Sequence, residues 1–266
     1  KEGFLKSAYS AYRERSLGLG AMGFHSYLQS RRIPFEGIYA TGFNYKAFKH
    51  IKRHSLRATE RLADERGESP DISGSGRRNA HLLAVAPNAS SSIICGGTSP
   101  SIEPYRANVY THKTLSGSFQ VKNKYLEEVL NDKGLKKNEL IALWKDIAGN
   151  EGSVQHLDIL TDDEKELFKT ANEIDQIWII EHASKRQEFI CQAQSVNLFF
   201  TIPTATEKQE VHDEYMQYVN DVHWYGMNKL KSLYYFRTNA ARNAENVNTK
   251  VQRIKLDDAE CIACEG

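Results

Sequence analysis

Runs of helical periodicity several turns long alternate along this chain with short apolar runs, and that alternation limits the fold more than any other feature. Over 43–66, apolar and small residues recur at Ala47, Phe48, Ile51, Ala58 and Leu62, with Gly67 placed to end a helix. Residues 123–133 and 137–147 read as helices, and Thr161-Asp162-Asp163-Glu164 is a capping box that opens another. Residues 174–192 form a further helical run. A long helix is expected over 207–230, with Val211, Tyr215, Tyr218, Val219, Val222 and Tyr225 as its apolar side chains. Between the helices, 81–86 has the character of a buried strand closed by Pro87, 195–202 reads as a strand, and 232–236 as a short aromatic one. Helices alternating with short strands indicate an α/β fold. The small residues from Ser16 to Phe24, Gly18, Gly20 and Gly23 among them, predict close backbone packing. Residues 69–78 and 88–105 read as loops, and neither argues for a domain boundary. From about Arg237 the pattern fades into Asn, Lys, Asp and Glu, so the expected division is a folded part, 1–236, and a mobile tail, 237–266.

Charge and cysteine content narrow the function classes. The formal net charge is +1, so no global field argues for direct binding of nucleic acid or of an anionic membrane. No apolar run approaches the roughly 20 residues that a membrane helix needs. The first residues, Lys1-Glu2-Gly3-Phe4-Leu5, form neither a signal peptide nor a Met start, and they read as cut from a longer chain. Cys95 and Cys191 are isolated, while Cys261 and Cys264 form a CxxC. That is too sparse for a secreted disulfide framework and suits a reducing, cytoplasmic compartment. Cys191 is expected in the core, and Cys95, following a serine run, near a ligand.

Three constellations have chemical potential. The Cys261-Ile-Ala-Cys264 thiols can close on each other, so one can attack a mixed disulfide formed by the other. Asp257, Asp258, Glu260 and Glu265 surround them and favour a reductant over an oxidant. The alternative is half of a metal site on a non-catalytic scaffold, since CxxC is also a common zinc ligand pair. Ala86-Pro87-Asn88-Ala89-Ser90-Ser91-Ser92 follows a strand and can turn amides and hydroxyls toward one point, as a diphosphate requires, although it is not a P-loop. An ordinary polar connection would look the same. Leu233-Tyr234-Tyr235-Phe236-Arg237 places two phenols side by side, where an electron and a proton could pass between them. Alternation along a regular strand would set those rings on opposite faces, so a relay needs a local break.

The order of these features resembles the C-terminal part of the large subunit of class I ribonucleoside-diphosphate reductases. Pro87 and the serine run lead to Ser101-Ile102-Glu103-Pro104-Tyr105, then come Ser195-Val196-Asn197, the tyrosine pair and a terminal CxxC; Ser16-Leu17-Gly18-Leu19-Gly20 also fits. The resemblance implies part of a ten-stranded α/β barrel with extra helices. It implies that Pro87, Asn88, Ala89, Ser90, Ser91 and Ser92 bind the substrate diphosphate. Tyr234 and Tyr235 would relay a radical from a diiron-tyrosyl small subunit. Cys261 and Cys264 would reduce the disulfide left after each turnover and be reduced in turn by thioredoxin or glutaredoxin. No Asn-x-Cys-x-Glu motif is present, so the radical cysteine and the remaining, N-terminal part of the large subunit are expected on another polypeptide. No cofactor or metal is expected on this chain itself.

Overall fold

The structure is a computed structural model and describes residues 2–114, 117–204 and 206–238. In chain order the helices are α1 (Leu5–Glu14), α2 (Phe24–Ser30), α3 (Ile38–Arg66), α4 (Ala89–Ile94), α5 (Lys124–Asp132), α6 (Lys137–Gly149), α7 (Asp162–Leu167), α8 (Gln176–Gln187) and α9 (Gln209–Lys229). The strands are β1 (Val109–Thr114), β2 (Gly117–Lys122), β3 (Leu198–Phe200) and β4 (Phe236–Thr238). The fold is α/β, as the alternation predicts.

Local chemistry explains several helix starts. At α7 the capping box is complete: Glu164 N–H donates to Thr161 Oγ1 at 3.3 Å, and Thr161 N–H donates to Glu164 Oε2 at 2.9 Å. Asn123 Oδ1 accepts from Tyr125 N–H at 3.1 Å to open α5, and Asp175 Oδ1 accepts from Ile177 N–H at 3.0 Å to open α8. Helix α3 begins five residues before the periodic run, because Gly37 at φ 120° supplies the turn into it.

Four extended segments lie side by side, and all their pairings are parallel. Leu19 bridges Leu83, Val85 bridges Gln194, and β3 pairs with β4 in the register Leu198↔Phe236. The first three segments meet through single bridges, not regular ladders, so the expected strand over 81–86 is extended chain and the one over 195–202 contracts to β3. The hydrogen bonds are nonetheless continuous: Ala84 N–H to Leu19 O at 3.1 Å, Ser195 N–H to Val85 O at 2.9 Å, and Tyr234 N–H to Val196 O at 2.9 Å. The glycines before α2 make this approach possible. A Cβ on Gly20 would stand 2.6 Å from Ala84 O, inside van der Waals contact.

Helices α3, α8 and α9 cover the layer. They bury Phe24, Leu28, Phe48, Leu83, Val85, Ile180, Val196, Leu198 and Val222 in one core. Each such side chain contributes about 1.5–3 kcal/mol when fully removed from water. A second core, around Leu126, Leu130, Trp144, Ile147 and Phe168, joins α5, α6 and α7 to the antiparallel pair β1–β2, which periodicity did not predict. Arg186 on α8 is buried with no carboxylate beside it. Its Nε and Nη1 donate to Gln194 Oε1 and Asn44 Oδ1, each at 3.0 Å, and its guanidinium stands 5.7 and 5.6 Å from the ring centres of Phe24 and Phe48. No helix among the described residues is long and apolar enough to cross a membrane.

Candidate functional site

The chain after Val85 leaves the carboxyl end of the second parallel segment, the end at which α/β sheets present ligand loops. Pro87 follows, and Asn88 adopts a left-handed conformation, φ 51°, which turns the chain directly into α4. Within the loop expected over 88–105, residues 89–94 therefore form a short helix, and 95–105 remain irregular. Its geometry leaves the first amides, those of Ala89, Ser90 and Ser91, without intrahelical acceptors. Ser90 and Ser91 are exposed. Ser92 is buried, and its Oγ donates back to Ala89 O at 2.6 Å, so this hydroxyl is engaged within the turn. Cys95 is exposed at the end of α4.

Tyr234 and Tyr235 stand at the entrance to β4, one residue before its regular pairing starts. The phenol rings lie on one side with centres 4.0 Å apart and planes at 43°. The local break in alternation that a relay requires is thus present. Both rings are about half exposed, at 48% and 50%. A hydrogen bond with Tyr235, reinforced by its charge, raises the pKa of the Tyr234 phenol. The main chain is fully committed to the third segment: Tyr234 N–H donates to Val196 O, Tyr235 O accepts from Leu198 N–H at 2.9 Å, and Tyr235 N–H donates to Asn197 Oδ1 at 3.1 Å. Because Val85 pairs with Gln194 and Tyr234 with Val196, the start of the serine loop and the tyrosine pair lie at nearly the same level. They are two segments apart, roughly 10 Å between backbones at ordinary strand spacing.

A carboxylate binds the segment between them, at Asn197. Glu103 is 7% exposed and accepts a short hydrogen bond from Asn197 Nδ2. Burial raises its pKa, against the opposing pull of Asn197 and of the nearby charges of Arg106 and Arg237. Arg237 lies over the Tyr235 ring, 5.2 Å from its centre, and its Nε is buried without a hydrogen-bond partner.

Cys191 is not within a helix. It follows the end of α8 by four residues, half-buried at the core's edge, and its Sγ accepts from Leu82 N–H at 3.1 Å and Leu83 N–H at 3.3 Å. Burial pushes this thiol up, but the two amides and Lys52 outweigh it and leave the pKa lowered. Cys261 and Cys264 lie outside the described residues. Among the described residues, no three His, Cys, Asp or Glu side chains converge as metal ligands.

The sequence profile of the family described as "Ribonucleotide reductase, barrel domain" matches residues 4–75 and 69–236, nearly all of the chain that is described. The chain belongs to this family. It is 42% identical over 265 residues to the ribonucleoside-diphosphate reductase large subunit of Invertebrate iridescent virus 3, covering 98% of this chain and 40% of that relative. The corresponding large subunit of Caenorhabditis elegans is 30% identical over 97% of this chain and 37% of its own length. The solved alpha subunit of the class Id ribonucleotide reductase of Actinobacillus ureae is 41% identical, with a TM-score of 0.70 over 86% of this chain and 40% of that one. The reductase barrel chain described here thus spans about 40% of the length of the first of these relatives.

In this reductase barrel chain, the parallel layer brings the serine loop and the tyrosine pair to nearly one level. It also brings in Glu103, Asn197 and Arg237, to which no role attached in the sequence. A buried Glu has an available signal: Ile102 and Pro104 flank it inside the loop that leads to Tyr105.

Proposed function

We propose that this chain forms part of the large subunit of a ribonucleoside-diphosphate reductase and reduces nucleotides only in a composite enzyme. The observation that carries the proposal is the close, tilted Tyr234–Tyr235 pair at the entrance to β4, level with the serine loop. Amides at the start of α4, with the hydroxyls of Ser90 and Ser91, are suited to the diphosphate of a ribonucleoside diphosphate. Pro87, Asn88 and Ala89 set the turn, and Ser92 braces it. At the pair, a tyrosyl radical on one phenol takes an electron and a proton from the other, so the radical moves and nothing else changes. The radical originates in the diiron-tyrosyl site of a small subunit.

After each reduction a disulfide remains on the part of the large subunit that carries the radical cysteine. The Cys261–Cys264 dithiol reduces it by thiolate attack, becoming a disulfide itself, and thioredoxin or glutaredoxin restores it. A tethered dithiol acts at high effective concentration. The test is turnover of the chain assembled with the N-terminal part of the large subunit and the small subunit. Tyr234→Phe and Tyr235→Phe are each expected to abolish reduction of a ribonucleoside diphosphate while thermal unfolding is unchanged. Full activity in either variant removes that residue from the relay. One zinc per chain with unreactive thiols would favour a metal-binding scaffold in place of the redox tail.

A further inference from the structure

We propose that Glu103 is a positioning residue for the tyrosine pair: through Asn197 it holds the Tyr235 main chain, and with it the close approach of the two phenols. The functional consequence rests on the relay described above; the geometric claim does not.

An asparagine amide can present either end to a neighbour, and packing alone scarcely distinguishes its oxygen from its nitrogen. Here the two neighbours demand opposite ends. Glu103 offers only acceptor oxygens when ionised, so it takes the Asn197 NH2. The Asn197 oxygen is thereby left facing Tyr235 N–H, which donates to it at 3.1 Å. Without the anion only Tyr235 N–H still opposes a flip, which would set two donors against each other in a site where Asn197 is only 2% exposed. The carboxylate therefore sorts the amide, and the sorted amide fixes the backbone.

The tyrosines need such a fixture. Their rings are half exposed, so packing does not immobilise them. Their positions follow from three main-chain hydrogen bonds to Val196, Asn197 and Leu198, and only the Asn197 bond runs to a side chain. The positive charge of Arg237, which lies over Tyr235, acts on Glu103. Arg237 Nε is buried without a hydrogen-bond partner. Burying a carboxylate is costly unless it is paired and hydrogen-bonded, and this arrangement gives the burial a purpose.

The test uses the full chain carrying 3-fluorotyrosine at position 235, read by 19F NMR, with thermal unfolding as the folding control. The unsubstituted site should give one resonance displaced from that of free 3-fluorotyrosine. Glu103→Gln keeps the shape and removes the charge, and it should split the resonance or move it at least half of the way to the free value. Glu103→Asp keeps the charge and should restore a single displaced resonance. If Glu103→Gln leaves the resonance where it was, the proposal is wrong. Glu103→Ala gives the larger displacement if it folds, and Glu103→Gln decides alone if it does not. In the assembled enzyme, Glu103→Gln should lower kcat on the order of 10-fold to 100-fold with KM unchanged, the scale expected for misplaced reacting groups. A moved resonance together with a fully active Tyr235→Phe variant upholds the positioning and refutes the relay instead.

Discussion

Gly20→Ala against Gly18→Ala isolates the close approach that sets the whole parallel layer. The two glycines lie two residues apart on the first segment and face the same neighbour, Ala84. At Gly18 a new methyl meets Ala84 Cβ at 3.4 Å, an ordinary contact. At Gly20 it meets the Ala84 carbonyl oxygen at 2.6 Å and Val85 Cα at 3.4 Å. A carbonyl in the hydrogen-bonded layer cannot swing aside as a side chain can, so the segments must separate. Overpacking of this kind costs about 1–3 kcal/mol. Alanine also restricts the unfolded chain, which returns about 0.4–1 kcal/mol where the backbone is compatible. Gly18→Ala should therefore be neutral or slightly stabilising. Gly20→Ala should lose about 1–2 kcal/mol net, roughly 2–8 °C in Tm for a chain of this size. Thermal unfolding by circular dichroism measures both. The displaced Val85 leads directly into the serine loop, so Gly20→Ala should also weaken diphosphate binding in the assembled enzyme. Equal Tm values for the two variants would refute the reasoning.

Acid should destabilise the fold through two buried histidines. His25 Nδ1 accepts from Tyr105 N–H at 2.9 Å, and burial holds its pKa down at about 3; burial likewise lowers His182 to about 4. Unfolding lets both return toward 6.5, so the unfolded chain binds more protons, and stability present above pH 6.5 is lost as the pH falls toward 4. The slope should approach about 1.4 kcal/mol per pH unit for each histidine, and urea unfolding that is flat between pH 7 and 5 would contradict it. Arg186→Ala strands Asn44 Oδ1 and Gln194 Oε1 and opens a gap between Phe24 and Phe48. It should cost about 3–5 kcal/mol, and Arg186→Met, which keeps the stem, distinctly less; denaturant midpoints that rank them the other way would overturn this account. Cys261→Ser or Cys264→Ser should abolish thioredoxin-driven turnover while leaving turnover with a small dithiol largely intact. Equal loss with both reductants would remove the shuttle role.

Much of this was legible because local chemistry announces itself. The α7 capping box is four residues long and reaches the structure unchanged, whereas α3 is helical as read but buries Phe48 alone of the five residues named, with Ala40, Asn44, Thr59 and Ala63 beside it. The strands were harder. Their pairing is set by where Gly18 and Gly20 let backbones approach, which no two-residue period records. The β1–β2 pair escaped although Val109-Tyr110-Thr111 are strand-favouring residues and Val109 anchors the second core. Residues 88–94 look like a loop since small hydroxyl residues disfavour helices, yet the left-handed Asn88 starts one. Cys191 looked like helical core, but α8 ends at Gln187, and the thiol instead caps the amides of Leu82 and Leu83. The tyrosines were visible as residues, whereas their close approach was not, because it depends on where β4 begins. The roles of Glu103 and Asn197 are least legible of all, since they arise from residues 94 positions apart in sequence.

The most direct test of the central claim places 3-aminotyrosine, which is easier to oxidise than tyrosine, at position 235. The chain is assembled with the rest of the large subunit and a radical-bearing small subunit, and freeze-quenched for electron paramagnetic resonance. The account predicts that a new aminotyrosyl radical accumulates when a ribonucleoside diphosphate is added, as the small-subunit tyrosyl signal declines in equal amount. A small-subunit radical that persists unchanged, or one that is consumed during turnover with no radical ever trapped at position 235, would contradict it.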